Sequence, residues 1–159
     1  MHSYIKLSKY ILVVFAVIFV SACSMTREMM DLDTDINLEF SVSSTVNPDS
    51  DGRSSPIVIN LLYLRDNRQF EQEDFIALLE SPKDRLGKDL IETVRLKEFI
   101  PSEVRDVFHV LPEGVEYVGI VAEFIQYQDA KGTLILPIEA HSANDYTILL
   151  DKDTVRIQD

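Results

Sequence analysis

The sequence predicts an all-β fold, a sandwich of seven to eight short strands with one short helical insertion between the second and third. Three observations carry that expectation. From position 36, Ile36, Leu38, Phe40 and Val42 alternate strictly with Asn37, Glu39, Ser41 and Ser43, which is the period of a half-buried strand. Clusters of Gly, Pro, Asn and Asp then break the chain into short runs at regular intervals. Only one stretch, residues 70–80, changes to a helical spacing.

The chain has 159 residues, and residues 1–35 precede the first strand. Lys6 and Lys9 mark a basic start without acids, and residues 10–20 (YILVVFAVIFV) run without a charge. A basic start followed by such a run describes a secretory signal peptide. The run is short for a membrane span, which needs ~20 apolar residues. Val20-Ser21-Ala22-Cys23 follows at once and resembles the bacterial lipobox, and Cys23 is the single cysteine of the chain. The resemblance implies cleavage after Ala22 and covalent lipid on Cys23. With Ser24 rather than an aspartate next, it also implies sorting to the outer membrane, with the body facing the periplasm. Residues 1–22 are therefore expected to be a cleaved leader, 23–35 a lipidated tether and 36–159 the sandwich domain. Cleavage removes two lysines and no acid, so the formal charge moves from −12 to −14. Two or more acyl chains hold a protein on a membrane stably, where one holds it only marginally.

The remaining elements follow in order. Residues 47–55 (NPDSDGRSS) are turn chemistry throughout, and Pro56 opens an apolar strand over 57–64. Asp66-Asn67 ends it. In residues 70–80, Phe70, Phe75, Leu78 and Leu79 lie at roughly helical spacing, with acids in the first turn where the macrodipole favours them. Pro82 ends this helix, and residues 82–87 allow one more short turn. Strand character returns over 90–99, where Val94 and Leu96 face opposite to Arg95 and Lys97. Further strands are expected over 104–111, 115–127, 134–138, 146–150 and 154–158, the last reached through a three-residue hairpin loop, 151–153. Val118-Gly119-Ile120-Val121 is apolar on both faces, which places that strand centrally. All six prolines fall in loops or at strand ends.

Composition narrows the function classes. A net charge of −12 excludes a generic nucleic-acid binder, since nothing would neutralise phosphates. One cysteine excludes an intrachain disulfide framework and a cysteine-based zinc site. Residues 31–35 (DLDTD) and 47–52 (NPDSDG) both start like a calcium loop, but the bidentate acid required at position twelve falls on Val42 and Val58. His109 and His141 stand 32 positions apart without metal-ligand spacing, and no G-x-S-x-G, P-loop or dinucleotide fingerprint occurs. No cofactor, metal or small-molecule substrate is therefore expected beyond the covalent lipid, and the chain is expected not to be an enzyme. Weight falls on surfaces, and the nine-residue 47–55 loop is longer than a strand connection needs.

Together these motifs resemble the TssJ (SciN) family of type VI secretion lipoproteins. The resemblance rests on the lipobox, on Val46-Asn47-Pro48-Asp49 with Gly52-Arg53-Ser54-Ser55-Pro56 entering a strand, and on Phe70 with Asp74-Phe75. It continues through Leu86-Gly87-Lys88-Asp89-Leu90, Pro101 and Tyr117-Val118-Gly119-Ile120-Val121-Ala122. The chain departs from the family's pattern after that strand: Phe124 is followed by Ile125-Gln126, and there is no tryptophan. The resemblance implies a transthyretin-like β-sandwich. It also implies an outer-membrane anchor for the secretion membrane complex, which binds the periplasmic C-terminal region of TssM, an inner-membrane protein joined to TssL. The family's contact loop maps onto Asn47, Pro48, Asp49, Ser50, Asp51, Gly52, Arg53, Ser54 and Ser55. The rival expectation is an outer-membrane lipoprotein that binds a sugar, lipid or calcium through its sandwich loops.

Overall fold

The computed structural model describes residues 33–158. Cys23, the predicted leader and most of the predicted tether lie outside the described residues. Eight strands form two four-stranded sheets: β1 (Asp35–Val42), β2 (Ile59–Leu64), β3 (Leu90–Arg95), β4 (Val104–Val110), β5 (Tyr117–Ala122), β6 (Thr133–Pro137), β7 (Ala143–Asp151) and β8 (Thr154–Ile157). One sheet runs β4-β1-β7-β8 and the other β3-β2-β5-β6. All strand pairs are antiparallel except β1 with β7. That parallel pair joins strands about a hundred residues apart in sequence and sets the centre of the first sheet.

The alternation of β1 is realised: Ile36, Leu38, Phe40 and Val42 are buried, while Asn37, Glu39 and Ser41 face outward. They meet Ile59, Leu61, Tyr63, Val118, Ile120 and Leu136 from the facing sheet. Phe40 and Phe99 lie at the centre with ring centroids 4.7 Å apart. The Arg105 guanidinium lies over the Phe99 ring, 4.0 Å from its centroid.

Every residue of β2 is buried, because its sheet is covered on both faces. Its outer face carries Leu62, Leu64 and Val121 under Phe70, Leu78 and Leu86 of the insertion. β5 lies between β2 and β6, as its two-sided apolar run predicts.

The insertion differs from the single helix expected over 70–80. It is three short helices, α1 (Arg68–Gln72), α2 (Phe75–Glu80) and α3 (Pro82–Leu86), followed by a 3₁₀ turn over Gly87–Asp89. The break falls at Glu73, whose backbone is extended at φ −85° and ψ 147°. The cause is geometric. Phe70 and Phe75 are five residues apart, about 140° around an unbroken helix, so one helix could not lay both against the sheet. With the break, Phe70 packs over Gly119 and Phe75 over Gly132.

Gly119 shows how tight this layer is. A Cβ there would stand 2.5 Å from Phe70 Cε2, inside van der Waals contact with a buried ring. Gly119→Ala is therefore expected to cost about 1–3 kcal/mol by overpacking, measured as a lowered denaturation midpoint. An unchanged midpoint would show that the insertion moves freely on its sheet.

Two smaller differences concern the ends of strands. Asp151 pairs with Thr154, so the last hairpin turns on Lys152-Asp153 alone. Ile57 precedes β2 and forms a separate bridge with Phe99, which leaves Val58 outside the continuous strand.

Candidate functional site

The chain leaves β1 at Val42 and reaches β2 at Ile59, and residues 47–55 occupy the bend between the sheets. The loop is built around Asn47. Its φ of +48° is a left-handed conformation that asparagine tolerates better than most residues. Its side chain is 2% exposed and makes two hydrogen bonds: Nδ2 donates to Pro56 O at 2.7 Å, and Oδ1 accepts from Ile125 N–H at 2.7 Å. Its own N–H donates to Lys152 O at 2.7 Å. Asn47 thus ties the loop's two ends, the segment after β5 and the β7–β8 hairpin together. Expected among the contact residues, it is almost wholly buried, and both ends of its amide are bonded within the protein.

Asp49 organises the tip. Its Oδ1 accepts from the N–H groups of Asp51 and Arg53, both at 2.9 Å, and its Oδ2 accepts from Arg53 Nε at 2.9 Å. Asp49 N–H donates to Arg53 O at 2.9 Å, and Gly52, at φ +78°, closes the turn by donating to Asp49 O at 3.0 Å. The Arg53 guanidinium also reaches Asp51 Oδ2 at 3.0 Å and stays 74% exposed. The two carboxylates that resemble the start of a calcium loop are thus engaged within the loop, Asp49 by two backbone amides and Arg53, and Asp51 by Arg53. Ser50, Asp51, Gly52 and Arg53 face solvent. Ser54 Oγ donates to Ser44 O at 2.7 Å, and Ser55 N–H to Val46 O at 3.2 Å, so both stitch the base of the loop. Pro48 O accepts from Gln126 Nε2 at 3.1 Å, as Asp49 O does at 3.0 Å.

The Arg53 N–H, foremost among its partners, holds the Asp49 carboxyl below its ordinary value of 3.8. A carboxylate with a depressed pKa stabilises the fold above its unfolded value, and that contribution disappears as pH falls through the folded one. The tip is therefore expected to stay ordered at neutral pH and to loosen below about pH 4. Amide exchange at Asp51 and Arg53 measures this. Exchange rates at those amides that follow only the intrinsic pH dependence down to pH 2 would contradict it.

Between the loop and the hairpin opens a cleft of about 610 Å³, lined by Pro48, Asp49 and Ser50 on one side and by Phe124, Gln126, Asp129, Lys152 and Asp153 on the other. Three acids and one lysine are among its lining residues, and of these acids Asp49 already has its carboxylate engaged by Arg53. The far wall was not foreseen: Phe124, Gln126, Asp129 and Asp153 are far from residue 47 in sequence and meet it only through the fold. The departure from the family's pattern at Ile125-Gln126 falls where the chain grips the loop. His109 lies edge-on to Tyr63 with centroids 6.3 Å apart, and His141 N–H donates to Thr34 Oγ1 at 2.8 Å. Among the described residues, no group of three or more His, Cys, Asp or Glu side chains converges on a point that could hold a metal ion.

Comparison with known proteins identifies the kind of molecule this is. The family described as "Type VI secretion lipoprotein, VasD, EvfM, TssJ" matches residues 34–153. The crystal structure of the type VI lipoprotein TssJ1 from Pseudomonas aeruginosa superposes with a TM-score of 0.75 at 23% identity, covering 79% of this chain and 95% of that one. Serratia marcescens Lip, described as a membrane-bound component of the type VI secretion system, gives 0.73 at 20% identity over 79% and 98%. A chain in a structure described as the TssM C-terminal domain from EAEC gives 0.66 at 18% identity over 79% and 98%. No curated protein sequence matches. At these identities the solved structures establish the fold, and the family match spans most of the sequence from Thr34 to Asp153. The chain belongs to the type VI secretion lipoprotein family.

Proposed function

We propose that the chain is the outer-membrane anchor of a type VI secretion membrane complex. Acyl chains on Cys23 hold it on the outer membrane facing the periplasm, and its 47–55 loop holds the periplasmic C-terminal region of TssM, which is joined to TssL. The role is mechanical, without catalysis or a cofactor. The observation that carries the proposal is the loop's construction: a base fixed by Asn47 and Gln126, with Ser50, Asp51 and Arg53 displayed in a set conformation. A preordered loop loses little entropy on binding, which favours a contact that must bear load. Family membership supports the secretion role, and the structure described by its TssM domain, which contains a chain of this fold, supports TssM as the partner.

The residues 23–34 would then form the tether, since Asp35 opens β1, with a reach of at most ~40 Å when extended. Confinement on a membrane raises the effective concentration of the loop for its partner. Two variants separate anchor from contact. Cys23→Ser is expected to leave the outer-membrane fraction while still co-purifying with TssM. Ser50→Arg/Asp51→Arg is expected to stay in the outer-membrane fraction and to lose TssM. Both should abolish secretion. A Cys23→Ser chain that remained in the outer membrane with secretion intact would overturn the anchor, and undiminished TssM recovery by the loop variant would overturn the contact.

A further inference from the structure

The first sheet ends on β4, and β4 is an unusual edge. Its register with β1 (Asp35 opposite Val110, Ser41 opposite Val104), with Leu111 N–H bonded to Thr34 O and Val42 N–H to Glu103 O, fixes which backbone groups are used. Arg105, Val107 and His109 turn their N–H and C=O toward β1. Val104, Asp106, Phe108 and Val110 turn theirs away, and among the described residues nothing bonds to them. These same four residues carry the exposed side chains, and three are large and apolar: Val104 at 66%, Phe108 at 62% and Val110 at 55% exposure. The strand is inside out by its own pattern, since the less apolar set, Arg105, Val107 and His109, faces inward. Arg105 has a structural duty there, donating to Lys97 O and Glu98 O at 2.8 Å each while covering Phe99.

Free edges invite pairing, and proteins ordinarily blunt them with short strands, bulges, prolines or charges. The other edges here are blunted. β8 has four residues and its Thr154 is bridged by Lys131, β6 ends on Pro137, and β3 is displaced by a bulge at Tyr63/Leu64 and shows Glu92 and Arg95. β4 runs seven residues without a bulge or proline.

One charged position remains, and it is unbalanced. Asp106 stands directly opposite Glu39 on the outer face, and neither carboxylate has an ion-pair partner among the described residues. Like charges facing each other across a strand pair are unfavourable. Asp35, Asp145 and Asp151 add to the same face; β4, β1 and β7 place no cation on it, and Arg156 lies on β8, at the opposite edge of the sheet from β4. In the register that pairs all four free positions of two copies, Asp106 would face Phe108 and lie diagonal to the second copy's Asp106. Two Glu39–Asp106 pairs would then crowd together with no cation between them, so the face is ill suited to self-association. A membrane surface leaves the eight edge groups unpaired and meets five acids.

We propose that β4 is a strand-addition site. An extended segment of another protein pairs with the free N–H and C=O groups of Val104, Asp106, Phe108 and Val110. Its apolar side chains cover Val104, Phe108 and Val110, and a Lys or Arg lies between them against the Glu39–Asp106 pair. Main-chain bonds supply affinity and the alternating side chains supply specificity, as in other cases of strand addition. The site is separate from the 47–55 loop and stands whether or not that loop holds TssM.

The test uses the full-length chain in detergent and the synthetic peptide Thr-Val-Thr-Val-Thr-Lys-Thr-Val-Thr, which in antiparallel register sets its lysine on Asp106. Binding is expected to slow amide exchange at Val104, Asp106, Phe108 and Val110 by about tenfold or more, while Arg105, Val107 and His109, already bonded to β1, change little. A peptide N-methylated on the amides that face β4, and one with Glu in place of Lys, should each bind at least about tenfold more weakly. Phe108→Thr, a strand-compatible change at an exposed position, should weaken the lysine peptide similarly with the fold intact. Failure of the lysine peptide to bind, protection at other residues, or equal binding of the N-methylated peptide overturns the proposal. Concentration-dependent dimerisation abolished by Phe108→Thr also overturns it, and assigns the edge to a second copy.

Discussion

Phe40→Ala is expected to destabilise the domain by about 3–5 kcal/mol, the range for removing a fully buried aromatic ring. The residue has no exposed surface, and its ring meets Phe99 at 4.7 Å between the two sheets. The loss has two parts: the transfer energy of the ring and a cavity that rigid sheets on both sides cannot close. Phe99 is itself held under Arg105, so it cannot swing into the space without giving up the contacts of that guanidinium. For a domain of this size the change corresponds to roughly 10–25 °C in Tm. Phe40→Leu, which keeps most of the volume, should recover more than half of it. Thermal unfolding followed by circular dichroism measures both. A loss below about 1 kcal/mol for Phe40→Ala would mean that the facing sheets collapse onto the gap and that the core is softer than its geometry indicates.

Asn47→Ala is the second large effect, expected at about 2–5 kcal/mol. Removing the amide takes away two part-buried hydrogen bonds, to Ile125 N–H and Pro56 C=O, at about 0.5–1.5 kcal/mol each, and forces alanine to hold a left-handed backbone at about 1–2 kcal/mol. Asn47→Gly loses the same two bonds but none of the backbone freedom, so it should be the milder of the two by about 1 kcal/mol. Asn47→Asp keeps an acceptor for Ile125 N–H while setting a carboxyl oxygen against Pro56 O, and should be no better than alanine. This order, glycine mildest, distinguishes a conformational clamp from a side chain that merely fills space. All three variants should also weaken partner binding by the loop, although Asn47 itself is almost wholly buried.

Which of these features the sequence announces depends on how far apart their causes lie along the chain. β1 is legible because its inward and outward sets are chemically distinct over eight residues. β5 is legible because a strand covered on both faces has no polar alternate. The helical insertion is legible as a departure from strand period, but not its division at Glu73. That division is imposed by Gly119 and Gly132, which lie more than forty residues away and fix where Phe70 and Phe75 must land. The loop stands out by its length and turn residues. Its content is local at Asp49, Asp51, Gly52 and Arg53, where an aspartate followed by a glycine three positions later closes on itself. It is non-local at Asn47, whose partners at Ile125 and Lys152 come from the fold. Lys152, Asp129 and Asp153 enter the cleft by the same route. β4 misleads by its own pattern, because Phe108 and Val110 belong inside on hydrophobicity alone, while Arg105 is drawn in by the carbonyls and ring that it serves.

We propose that the 47–55 loop grips the periplasmic C-terminal region of TssM, and calorimetric titration of that region into the full-length chain checks this, with wild type compared against Ser50→Arg/Asp51→Arg. That variant leaves Asn47, Asp49 and Arg53 in place, so its Tm should stay within a few degrees of wild type. Saturable binding is expected for the wild type, and an affinity at least about tenfold lower for the variant, a loss of about 1.4 kcal/mol or more. Equal affinity in the two titrations, with the fold intact in both, would contradict it.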